Sequence, residues 1–120
     1  DFRPAAAATQ KIKKTDDRVD MTVEMVKNPD IIATLAGGGV RVGFAAETEN
    51  LADFARAKLT AKRLDLIVAN DVTAAGSGFG TETNEVVIFH ASGESEALPL
   101  MSKLAVGHAI LDRVAKLLRA

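Results

Sequence analysis

Residues Val40 to Asp71, VRVGFAAETENLADFARAKLTAKRLDLIVAND, decide how this chain folds. Val40 to Ala46 is short and mostly apolar, as expected of a strand buried on both faces of a sheet. From Asn50 to Arg63, Leu51, Phe54, Ala55 and Leu59 recur at the spacing of an amphipathic helix. Leu66-Ile67-Val68-Ala69 is a second fully apolar run, closed by Asn70-Asp71. Apolar strands alternating with helices predict an α/β sheet covered on both faces.

Downstream, Thr73 to Thr83 reads as a Gly- and Ser-containing loop, Glu85 to His90 as a further strand, and Ser92-Gly93-Glu94 as a turn. Ser102 to Leu118 reads as a helix whose apolar stripe runs through Leu104, Gly107, His108, Leu111, Val114, Ala115 and Leu118. Upstream, Asn28-Pro29-Asp30 combines an N-cap, a proline suited to the first helical position and an acid suited to the helix dipole. A short helix from Pro29 to about Leu35 is expected, ended by Gly37-Gly38-Gly39. Met21 to Val26 alternates apolar with polar residues and predicts a half-buried strand, while Asp1 to Asp20 reads as a long surface loop. A nucleotide-binding open sheet normally begins with a strand and a phosphate-binding turn. The expectation is therefore that the front half of the domain is absent from this polypeptide.

The chain has 120 residues, 48% of them hydrophobic, which suits one domain or most of one. Fifteen Lys plus Arg against 16 Asp plus Glu leave a net charge of -1, so no global field attracts nucleic acid or an acidic membrane. Any anion site must be local. The absence of cysteine rules out disulfides and thiolate metal sites, and His90 and His108 have no metal-ligand spacing. No metal site is expected from side chains. No apolar run approaches the ~18 residues of a membrane span, and the only aromatic residues are phenylalanines, at 4%. A soluble protein of the cytoplasm, with no nucleic-acid or membrane partner, is the expectation.

Chemistry points to a few places, each with a plainer reading beside it. Lys11-Ile12-Lys13-Lys14 can close over a polyphosphate as mobile point charges, although a short basic run is usually a solvated loop. Lys58 and Lys62 share one helix face, where like charges repel unless something anionic lies nearby, although lysines on helices are common. The helix start at Asn28 to Ile31 offers backbone N–H groups to a base edge or an anion, or is only a cap. Phe44 to Thr48 and Ala69 to Asp71 lie at the carboxyl ends of strands, where ligands of open α/β sheets bind. Gly37 to Gly39, and Gly76, Gly78 and Gly80, lack the strand-and-helix context of a dinucleotide or P-loop turn and read as turns. Ser77, Ser92 and Ser102 have no histidine suggesting a triad, so His90 and His108 read as structural.

Taken in chain order, these segments resemble the phosphopantothenate–cysteine ligase family. Asp1-Phe2-Arg3-Pro4 with Lys11-Ile12-Lys13-Lys14 matches its aspartate-aromatic-arginine loop and lysine motif. Val26 to Ile31, Val42 to Thr48, the Lys58 and Lys62 pair before Leu64-Asp65, and Ala69 to Val72 match further segments, with weaker matches at Phe79, Asn84, Pro99 and Ser102-Lys103. The resemblance spans nearly the whole chain and implies a Rossmann-like fold for the C-terminal part of a nucleotide-binding ligase domain, residues 1–120. It implies that CTP lies against Asp1, Lys11, Asn28, Pro29, Asp30, Ile31, Phe44, Lys58 and Lys62, with Lys11 the residue most needed for chemistry.

The implied reaction, a step of coenzyme A biosynthesis, joins 4′-phosphopantothenate to cysteine through an acyl-cytidylate. Mg2+ would ride on the nucleotide, and FMN would enter only if a decarboxylase domain precedes. A homodimer is also implied. The family's opening half-domain has no counterpart here, so the chain alone is expected to be inactive as a ligase. The rival readings are a non-catalytic module that binds CTP or ATP, and an α/β interaction domain with no nucleotide affinity.

Overall fold

The computed structural model describes residues 1–17 and 19–120. They form two compact units, Asp1–Ile31 and Ile32–Ala120.

In the first unit, β1 (Phe2–Pro4) pairs antiparallel with β2 (Met25–Lys27), placing Phe2 opposite Lys27 and Pro4 opposite Met25. The pairing is prolonged by Ala5 N–H donating to the Glu24 carbonyl and Asn28 N–H donating to the Asp1 carbonyl, both at 2.9 Å. The expected strand Met21 to Val26 is thus regular only from Met25, and it is mostly exposed rather than half-buried. A two-stranded ribbon supplies no second layer under which alternating apolar residues can be covered. Arg3 donates to the Lys27 carbonyl and to Asn28 Oδ1, at 3.2 and 3.1 Å. With its side-chain oxygen engaged in this way, Asn28 is followed by a helix that begins later than expected, α1 (Ile31–Thr34).

The second unit holds β3 (Val42–Glu47), α2 (Leu51–Ala61), β4 (Leu66–Asp71), β5 (Thr83–His90), β6 (Ser95–Ser102) and α3 (Lys103–Arg119). Its sheet has the order β3-β4-β5-β6. β3 and β4 run parallel, from Val42 opposite Leu66 to Glu47 opposite Asp71, whereas β4–β5 and β5–β6 are antiparallel. The unit is therefore an open mixed sheet of the α/β class.

Both faces are covered, as the sequence pattern requires. On one face Ala45, Ile67, Ala69 and Phe89 pack with Ala55 of α2 and with Leu64. On the other, Leu66, Val68, Val86, Ile88 and Leu98 pack with Val106 and Ile110 of α3. Leu66 to Ala69 alternate between these two cores, so β4 is buried residue after residue. Arg56 of α2 stacks over the Phe89 ring at 4.8 Å and donates to the Gly93 carbonyl, tying the helix to the β5–β6 turn.

Three expectations need correction. β3 is an edge strand of this sheet, not one buried on both faces: only Ala45 is buried, and Phe44 is 71% exposed. Phe44 lies opposite Val68 on the face that α3 covers, but α3 packs on β5 and β6, away from it. β6 is absent from the expected elements, and it carries Pro99, a residue poorly suited to a strand interior. It is tolerated at the sheet edge, in a bulge where Pro99 and Leu100 together oppose Glu85. On α3, the buried stripe is Val106, Ile110 and partly Val114, whereas Leu104, His108, Leu111 and Leu118 are exposed. The helix has two apolar stripes, and the sheet takes the β-branched one. Its start follows expectation, with Ser102 Oγ accepting from Ala105 N–H at 3.1 Å.

A polar clasp fixes α3 to the hairpin. Glu96 accepts from Arg113 Nε and Nη2 at 2.9 and 2.7 Å and contacts His90 Nε2 at 3.0 Å. The paired Arg113 guanidinium, then His90, hold the Glu96 carboxyl at about 2, below its usual value, against the opposing effect of burial. A depressed folded pKa stabilises the fold above the unfolded carboxylate's pKa of about 4.3 and is lost as pH falls from there towards 2. Because Glu96 is 36% exposed, solvent screening limits the effect to about 1 kcal/mol. Glu96→Gln is expected to lose that amount at pH 7 and nothing near pH 2, which denaturant titration across this range checks.

Candidate functional site

The carboxyl edge of the β3–β4 pair is where this fold gathers polar groups. Glu47 ends β3 and Asp71 ends β4, side by side in the parallel register. The Glu47 carbonyl accepts from Val72 N–H at 3.1 Å, which closes the edge. Asp71 turns away into its own loop, where Oδ1 accepts from the Thr73 hydroxyl at 2.5 Å and from Thr73 N–H at 2.8 Å. These bonds lower its carboxyl pKa, the hydroxyl contributing most.

Glu47 instead faces Lys58. The Lys58 ammonium donates to Glu47 Oε1 at 2.5 Å, and the side chains are 42% and 15% exposed respectively. α2 returns antiparallel to β3, and helical side chains lean towards the helix N-terminus, so a lysine in the last turn reaches back to the strand end. The repulsion between Lys58 and Lys62 called for a nearby anion, and for Lys58 the protein itself supplies one. Lys62 lies just past α2, its backbone N–H donating to the Lys58 carbonyl at 3.0 Å. Phe44 presents an exposed ring on the neighbouring strand. The second unit thus carries all three residues on β3 and the end of α2, but on different faces of the sheet: Phe44, opposite Val68, is on the α3 side, whereas α2 with Lys58 covers the side of Ala45.

In the first unit, Asp1 and Asn28 meet through the backbone bond that ends the β1–β2 ribbon. Pro29, Asp30 and Ile31 follow directly, with Asp30 half-buried. Lys11 is exposed in a stretch with no helix or strand. One hollow of this unit, about 590 Å³, is lined by Ala5 to Ala8, Ile12 and Asp20 to Glu24. Its charged residues are acidic, so it does not suit a phosphate.

The glycine-rich loop after β4 behaves as a turn. Gly78 has φ +94°, and an added Cβ would stand 3.1 Å from Val72 backbone atoms. Buried Ser77 donates to Asn84 Oδ1 at 2.5 Å, and Lys103 donates to the Gly78 carbonyl. Ser77 therefore serves the loop's architecture. Among the described residues no cluster of three or more His, Asp or Glu is placed to hold a metal ion, and no helix is long and apolar enough to cross a membrane. The pairing of Glu47 with Lys58 is not legible in the sequence, since a separation of eleven positions hides it until the helix direction is known.

Comparison with known proteins identifies what this chain is similar to. The family described as the DNA/pantothenate metabolism flavoprotein C-terminal domain matches residues 1–118. The coenzyme A biosynthesis bifunctional protein CoaBC of Vibrio vulnificus is 47% identical over 98% of this chain, and that of Bacillus subtilis is 48% identical over 98%. The chain spans about 30% of the length of these relatives. The crystal structure of the C-terminal domain of a CoaBC protein superposes with a TM-score of 0.74 at 29% identity, covering 99% of this chain and 50% of that one.

Proposed function

We propose, from the premise that this chain belongs to the DNA/pantothenate metabolism flavoprotein C-terminal domain family, that it supplies nucleotide-binding residues to a CTP-dependent phosphopantothenate–cysteine ligase of coenzyme A biosynthesis. The observation that carries the proposal is the 47% identity to a coenzyme A biosynthesis bifunctional protein across 98% of the chain. Those relatives are named for two activities, and the ligase assignment rests on the lysine-bearing segments and strand ends described above.

In the proposed reaction a carboxylate oxygen of 4′-phosphopantothenate attacks the α-phosphorus of CTP, and pyrophosphate leaves. The amine of cysteine then attacks the acyl carbon, the bond to the CMP oxygen breaks, and an amide forms. Negative charge grows on the α-phosphate in the first step, and positively charged donors aimed at it lower the barrier. Lys11 takes that role, with Lys58 and Lys62 engaging the phosphates. Asp1, the backbone from Asn28 to Ile31 and the exposed Phe44 ring contact the nucleoside. The donors on these segments are lysines and backbone groups, which fit a metal carried on the phosphates rather than a resident one. Magnesium bound in that way would supply further neutralisation of phosphate charge. A homodimer is part of the same proposal.

The test is calorimetric titration of CTP, then ATP, with magnesium, into the chain and into a Lys58→Ala, Lys62→Ala variant. Affinity for CTP is expected to fall about 30-fold in the variant, at roughly 1 kcal/mol for each partly exposed charge. Equal affinity in both proteins would remove the lysines from the pocket. Assaying amide formation with and without the upstream portion present in the relatives separates a ligase from a module that only binds nucleotide.

A further inference from the structure

We propose that Glu47 is the positioning residue for Lys58, holding the ammonium at the carboxyl edge of the sheet with its remaining donors directed to an incoming phosphate. The inference rests on the ligase reading and adds to it a residue that contacts no substrate. Glu47 is the more covered partner at 15% exposed, and Lys58 the more open at 42%, so the carboxylate backs the ammonium from the protein side. An ammonium carries three donors, and the 2.5 Å bond to Oε1 uses one. The other carboxylate at this edge, Asp71, is occupied by the hydroxyl and N–H of Thr73. Glu47 is also fixed through its carbonyl, which accepts from Val72 N–H, so its side chain projects from a pinned strand end.

A lysine on a four-carbon stem samples many rotamers, and without an anchor it must be ordered when the ligand arrives. Pairing with Glu47 orders it beforehand. An opposite effect competes with this one, because the carboxylate cancels much of the positive charge that attracts a phosphate. The arrangement favours positioning, since the exposed side of the pair is the cation and the covered side the anion.

The two effects predict opposite signs, which makes the idea testable in the full-length protein by steady-state ligation at varied CTP. Glu47→Gln is expected to raise KM for CTP about tenfold, with kcat within about twofold. Lys58→Met is expected to raise KM at least as much, and the double variant should be no worse than Lys58→Met alone, because Glu47 acts through that lysine. A KM that falls or stays unchanged in Glu47→Gln, while Lys58→Met raises it, overturns this inference and leaves the ligase reading intact. Additive effects in the double variant also overturn it, since Glu47 would then act through the fold. Wild-type protein without CTP turnover, or Lys58→Met with unchanged KM, overturns the ligase site and this inference with it. Thermal unfolding accompanies each variant. Should Glu47→Gln not fold, Glu47→Asp keeps the charge and draws it back by one methylene, and the same cycle with Lys58→Met decides.

Discussion

Ligation by the full-length protein is expected to fall about 10²- to 10³-fold when Lys11 is replaced by alanine, the cost of removing one charged donor from a developing phosphate charge. The side chain is exposed and lies outside every helix and strand, so its loss should leave the thermal midpoint unchanged. That separation matters, because a fall in rate accompanied by unfolding would say nothing about chemistry. The drop should lie in kcat, measured at saturating CTP, since the charge that Lys11 meets is larger in the transition state than in the bound nucleotide. Lys11→Arg should recover little of the loss, as a planar fork does not replace a compact point charge. Lys13 and Lys14 provide the internal control: neutralising either should raise KM modestly, by loss of general attraction, with kcat nearly intact. A Lys11→Ala enzyme within threefold of wild type would remove Lys11 from the reaction centre.

The sequence pattern announces β4 and α2 clearly because burial on both faces leaves no polar position between Leu66 and Ala69, and a helix facing one core repeats at a single period. It fails where tertiary context chooses between equivalent patterns. On α3 the Leu104, Leu111 and Leu118 stripe and the Val106, Ile110 and Val114 stripe are both apolar at helical spacing, and only the hairpin on which the helix lands selects the second. At β6, a proline that argues against a strand in isolation is accommodated by a bulge at an edge, a position that local sequence does not encode. The candidate site shows the same division. Spacing alone puts Lys58 and Lys62 one turn apart, and the structure keeps Lys58 in the last turn of α2 with Lys62 as the residue that caps it. The partner of Lys58 required the direction of α2 relative to β3, a consequence of the parallel β3–β4 crossover. What was legible as a residue list becomes a charge arrangement only when the topology is known, and that arrangement turns an exposed lysine into a pre-ordered one.

Ile88→Ala is expected to destabilise the protein by about 2–5 kcal/mol, because deleting a buried branched chain loses its transfer free energy and leaves a cavity that the neighbours only partly fill. Ile88 is fully buried in the centre of β5, opposite Val68 of β4 on one side and Glu96 of β6 on the other. Its side chain joins the core under Val106 and Ile110 of α3, so no solvent-facing edge is available to relax into the space. Against a typical domain stability of roughly 5–15 kcal/mol, a loss of this size lowers the thermal midpoint by some ten to thirty degrees. Leu111→Ala is the matched control. It removes a similar volume from α3, but Leu111 is 63% exposed on the stripe that sequence reading favoured. Its expected cost is within about 0.5 kcal/mol, the range of surface substitutions. Denaturant unfolding of the two variants therefore tests which stripe of α3 carries the packing. A Leu111→Ala loss equal to that of Ile88→Ala would place the leucine face against a core and overturn the assignment of Val106 and Ile110 as the buried side.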